Sequence, residues 1–117
     1  MVDLNELRYL ALSFPEASEE DHQDRPSFRV NGKIFATLPD DLHVSVMLDA
    51  QQAQEAIVQA PACCAGLCWG ERLAGITVNL AGADLDMLAA ALTSAWRRKA
   101  PAALTRLLDP PTEALRT

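Results

Sequence analysis

The chain has 117 residues, half of them apolar and only 5% aromatic, and its 16 acidic and 10 basic side chains give a net charge of −6. That length suits one domain with a core of small aliphatic side chains, needing neither disulfide nor metal. An acidic chain repels polyanions at long range, so nucleic acid would need a local basic patch, and no apolar run approaches the roughly 20 residues of a membrane span.

In chain order, the first predicted element is a helix. Leu4, Leu7, Leu10, Ala11 and Phe14 recur at three- and four-residue spacing, Asp3 and Glu6 form a capping pair, and Pro15 ends the run. The acidic stretch from Glu16 to Asp24 reads as a loop with room for a short edge strand around Glu20 to Gln23. Three strands follow at Ser27–Val30, Lys33–Leu38 and Leu42–Leu48, alternating so that Ile34, Ala36 and Leu38 share one side, as do Leu42, Val44, Val46 and Leu48. Phe35, Thr37, Met47 and Thr77 then fall on the opposite face, open to dimerisation or a ligand. Asn31-Gly32 signals a tight hairpin, and Pro39-Asp40-Asp41 the next turn.

Asp49 caps a second helix whose apolar stripe is Ala53, Ala56, Ile57 and Ala60. Leu67-Cys68-Trp69 suits a short strand before a Gly70-Glu71-Arg72 turn, and Gly75–Leu80 is a strand by alternation. Ala74 and Gly75 suggest a bulge or close backbone packing. Asp84 caps the longest helix, to about Lys99, with Leu85, Leu88, Leu92 and Ala95 on one face. Residues 102 to 108 add an amphipathic turn or two, and 109–117 form a disordered tail beyond a single domain of residues 1–108. The order predicts an α+β fold in two layers, an antiparallel sheet with helices on one face, arranged α-β(3-4)-α-β(2)-α.

Several stretches in that order resemble the MmcQ/YjbR family. They are Leu10-Ala11-Leu12-Ser13-Phe14-Pro15-Glu16, the hairpin from Phe28 to Ala36, the strand Leu42–Leu48, Trp69-Gly70, Ile76–Leu80, and Ser94-Ala95-Trp96-Arg97. The resemblance covers roughly residues 4 to 100. It implies a secretion-chaperone-like fold and, through paired hairpins that look like a double wing, DNA binding in a bacterial protein.

Charge is unevenly spread. Seven acids and one base lie between Met1 and Asp24, whereas Arg97, Arg98, Lys99 and Arg106 stand in an acid-free stretch from Trp96 to Leu108. Arg25, Arg29 and Lys33 flank the Asn31-Gly32 turn and Arg72 marks the other, so these four are the candidate phosphate contacts. The Arg97-Arg98-Lys99 run is explained by the dipole of the helix it ends. No aromatic platform is expected beside the hairpin cations.

Cys63, Cys64 and Cys68 read as free thiols of a reducing cytoplasm, since adjacent cysteines rarely turn toward one metal. The N-terminus lacks an export signal. His43, the serines and the turn carboxylates form no catalytic constellation, so neither an enzyme, a metal nor a cofactor is expected. Two readings remain: a nucleic-acid-binding module working through hairpin tips, and an acidic module without catalytic activity that binds a protein partner, its own copy or a small ligand.

Overall fold

The computed structural model describes residues 2–108; the predicted tail, 109–117, lies outside them. Its elements run α1 (Leu4–Leu12), β1 (Ser18–His22), β2 (Arg25–Val30), β3 (Lys33–Thr37), β4 (His43–Met47), α2 (Ala50–Gln59), β5 (Cys64–Trp69), β6 (Arg72–Asn79), α3 (Leu85–Lys99) and α4 (Ala102–Leu108). All six strands form one antiparallel sheet in the order β1-β2-β3-β4-β6-β5. The α+β order expected from the sequence is present.

Local chemistry explains the helix boundaries. Asp3 and Glu6 close a capping box on α1, Asp49 and Gln52 close another on α2, and the Asp84 carboxylate accepts from the Asp86 N–H at the start of α3. Each satisfies amide donors that the first helical turn leaves unpaired. In the Asn31-Gly32 turn both residues have positive φ, +53° and +74°, as a twist-matched two-residue hairpin requires. Gln23 and Asp24 adopt the same sense, +52° and +65°, between β1 and β2, with no glycine to signal it.

Across the sheet, Phe28, Ala36, Val46, Ile76 and Gly66 lie opposite one another strand by strand, as do Ser27, Thr37, Ser45, Thr77 and Ala65. The first row faces the helices. Leu7 and Ala11 of α1, Ala53 of α2, and Leu88, Leu92, Ala95 and Trp96 of α3 pack on it in one apolar core. Phe14 sits at the centre, stacked on Trp96 (ring centroids 5.9 Å apart) and edge-on to Phe35 (6.1 Å). The buried Trp96 Nε1–H donates to the Pro15 carbonyl at 3.1 Å, which ties α3 to the chain leaving α1. β1 is exposed along its length, held to α1 by Arg8 and Glu19 at 3.0 Å.

Three sequence expectations need correction. Ile34 does not share a face with Ala36, nor does Phe35 lie on the open side. The β2–β3 register passes from Phe28↔Ala36 to Arg29↔Ile34, leaving Phe35 as an extra residue. That bulge breaks the two-residue alternation, so Phe35 is fully buried with Ala36 while Ile34 is half-exposed opposite Arg29. Leu42 belongs to the preceding turn, its N–H held by Asp40 Oδ1 at 2.7 Å, and is 65% exposed. Leu85, at the first position of α3, is exposed instead of facing the core. The rest of the predicted face (Val44, Val46, Leu48, Ile76, Val78, Leu80) is buried.

A second bulge falls at Ala74, between Leu67↔Gly75 and Cys68↔Leu73. The sequence pointed to this stretch, and the reason is steric: a Cβ at Gly75 would stand 2.1 Å from the Val46 carbonyl oxygen.

Candidate functional site

The antiparallel register decides which cations meet. Val30 opposes Lys33, Met47 opposes Gly75, and Trp69 opposes Arg72. The β2–β3 and β5–β6 turns therefore project from the same end of the sheet. The last turn of α3 ends there too. Trp69, Arg72, Arg98 and Lys99 line one cavity of about 230 Å³, together with Met47, Leu48 and Ala74. Lys99 titrates below the ordinary lysine value, first because it is partly buried and then because Arg98 and Lys33 repel its charge. Lys33, Arg72, Arg98 and Lys99 thus form one cationic cluster. None of the four has a carboxylate within ion-pair distance among the described residues.

Of the four candidates named from sequence, two are brought together, Lys33 and Arg72. Arg25 begins β2 at the other end, roughly 17 Å away at the rise of an extended chain. Its Nε–H donates to the Leu38 carbonyl at 2.8 Å and its Nη2 meets Asp41 Oδ1 at 3.1 Å, a brace for the β3–β4 turn. Arg29 lies between: its Nε–H donates to Ser27 Oγ at 3.1 Å, with Glu20 at 4.0 Å. In the sequence, the dipole of the helix they end accounts for Arg98 and Lys99. A helix end seen in sequence carries no hint of what tertiary packing sets beside it, so their convergence with Arg72 was invisible there.

Trp69 was missed as an aromatic companion. It is 58% exposed and it also lines the open face of the sheet. A second cavity there, of about 340 Å³, is walled by Ile34, Met47, Leu67 and Trp69, with Thr37, Ser45, His22 and Lys99 supplying polar groups. β3 and β4 pair at Ala36↔Val46 and Thr37↔Ser45. Past that pairing, Ile34, Met47 and Lys99 line the cavity together. Met47, Trp69 and Lys99 are common to both cavities.

Comparison with known proteins bears on the family and the fold. The YjbR family model matches residues 12–98, most of the chain. The chain belongs to the YjbR family. A crystal structure of Deinococcus radiodurans protein DR2400, which carries a DUF419 domain, superposes with a TM-score of 0.71, covering 95% of this chain and 91% of that one at 20% identity. At that identity the likeness speaks for the fold alone. No curated protein matches. The family assignment and the α+β fold read from the sequence both stand.

The remaining candidates are plainly placed. Cys63 and Cys64 are buried side by side with their Sγ atoms 3.9 Å apart, and Cys68 is exposed. Burial, followed by the neighbouring Cys63 thiol, pushes the Cys64 thiol up to about 11, which makes it an unreactive core group. Among the described residues no three of His, Cys, Asp and Glu come together to hold a metal, and no helix is long and apolar enough to cross a membrane. His43 Nδ1 lies 2.9 Å from Asp40 Oδ1, and this bond is the first cause of the lowered Asp40 pKa, followed by the Leu42 N–H.

Proposed function

We propose that the protein binds nucleic acid at the end of the sheet where two hairpin tips and the last turn of α3 meet. The observation that carries this reading is the gathering of Lys33, Arg72, Arg98 and Lys99 beside the exposed indole of Trp69. Four cations on one end form the local patch that a chain of net charge −6 needs to attract phosphates against its own field. Seven of the 16 acidic residues precede Arg25, while Glu71 stands in the β5–β6 turn beside Arg72. Asp49, which lines the same cavity, is engaged in capping α2 through the Gln52 N–H at 2.7 Å. Gly70, at φ +63° in the β5–β6 turn, lets the backbone of that tip come close to a polyanion.

Fluorescence anisotropy with a labelled oligonucleotide, across a salt series, tests the reading. Neutralising up to four phosphates gives a log–log salt slope of about −3 for a single strand. Arg72→Gln with Arg98→Gln flattens that slope by about two charges and weakens binding at every sequence tested, whereas Arg25→Gln, at the far end, leaves it unchanged. Absence of binding at the lowest salt, or equal weakening by Arg25→Gln, rules the reading out.

A further inference from the structure

Two adjoining cavities share the Trp69 indole, and they differ in character. The one on the basic end is flanked by Arg72 and Arg98. The one on the open sheet face has apolar walls from Ile34, Met47 and Leu67 and hydroxyls from Thr37 and Ser45, within the size range of small-ligand sites. A ligand spanning both must carry an anion at one end and a flat, largely apolar ring with hydrogen-bonding edges at the other. We infer that the open-face cavity receives one unstacked nucleobase, its ring against Trp69, while the adjoining phosphate rests on Arg72 and Arg98.

This deepens the reading above and rests on it. A stacked, paired base presents only its edges in a groove, so entering the cavity requires that it leave the stack. The arrangement therefore favours single strands over duplex. Aromatic side chains accept any base on their faces, whereas the hydroxyl groups contact only its edge. Lys99 belongs to both cavities, and an anion beside it relieves the repulsion from Arg98 and Lys33. A free nucleotide has the same base-and-phosphate chemistry as a strand, but it has no further phosphate to place near Lys33.

Tryptophan emission of the full chain provides the test. Trp96 is fully buried and Trp69 exposed, so stacking at the surface changes the signal of Trp69 alone. The probes are a short oligothymidylate, an abasic oligomer with the same number of phosphates, the corresponding duplex, and thymidine monophosphate. The oligothymidylate is expected to quench Trp69 and to bind roughly ten- to a hundredfold more tightly than the abasic oligomer. Trp69→Ala abolishes that advantage while leaving abasic binding in place, and Trp69→Phe restores part of it. Weaker binding of the monophosphate, with the same quenching, assigns the site to strands. Equal binding keeps the base site but assigns it to free nucleotides and overturns the strand. If the abasic oligomer or the duplex binds as tightly as the oligothymidylate, and all still respond to Arg72→Gln with Arg98→Gln, the base pocket is refuted and the basic end survives. If nothing binds, both fall.

Discussion

The two hairpins that frame the basic end are built alike and put to different ends. Each has a two-residue turn, Asn31-Gly32 or Gly70-Glu71, then a cation, Lys33 or Arg72, and then a bulge two residues further on, at Phe35 or Ala74. In the first hairpin the bulge turns an aromatic ring into the core against Phe14. In the second the bulge is small, the following Gly75 meets the Val46 backbone, and the aromatic residue before the turn, Trp69, is left outside. One device thus buries an aromatic ring in the core in one hairpin and leaves one exposed in the other. What decides between them is side-chain size at the bulge and on the opposing strand.

Removing the ring should break the first half of that comparison most severely. Phe35→Ala deletes a side chain with no exposed surface, leaving a cavity between Phe14 and the sheet, and should cost about 3–5 kcal/mol in urea unfolding. A loss below about 1 kcal/mol would mean that the bulge does not carry its ring into the core. The second half is sharpened at Gly75, where even one methyl group meets backbone. Gly75→Ala should cost about 1–3 kcal/mol, by the same measurement, because β4 and β6 must separate to admit it. An unchanged urea midpoint would show that the strands do not approach so closely.

The smallest effect lies at the opposite end of the sheet, where the β3–β4 turn has a titratable lock instead of a bulge. The Asp40 carboxyl is held below its ordinary 3.8 by His43 and the Leu42 N–H. A carboxylate with a depressed folded pKa stabilises fully above its unfolded value, and that contribution disappears as pH falls through the folded one. Asp40→Asn should therefore be less stable than the parent at pH 5, and the gap should narrow below about pH 3.8. Urea midpoints at the two pH values check this; a gap of constant size would remove the lock.

Much of the fold was legible because its signals are local. Helix caps at Asp3, Asp49 and Asp84, the Asn31-Gly32 turn, and the alternation of Val44, Val46, Ile76 and Val78 are set by residues within a few positions of one another. The candidate site was only half legible. Lys33 and Arg72 stand out beside their turns, but Arg98, Lys99 and Trp69 carry no mark of the company they keep. Ile34 and Phe35 were misplaced for a related reason: a bulge exists only against a partner strand, and alternation within one strand does not record it.

Sequence by itself determined the kind of elements, their order and most of the buried face, since these follow from capping chemistry, turn geometry and the period of apolar residues. Tertiary structure decided which strands pair, where the register slips and which distant cations share one end. Those are properties of relations between segments: shape complementarity at Gly75 and Phe35, and charges brought together by packing from positions as far apart as Lys33 and Lys99.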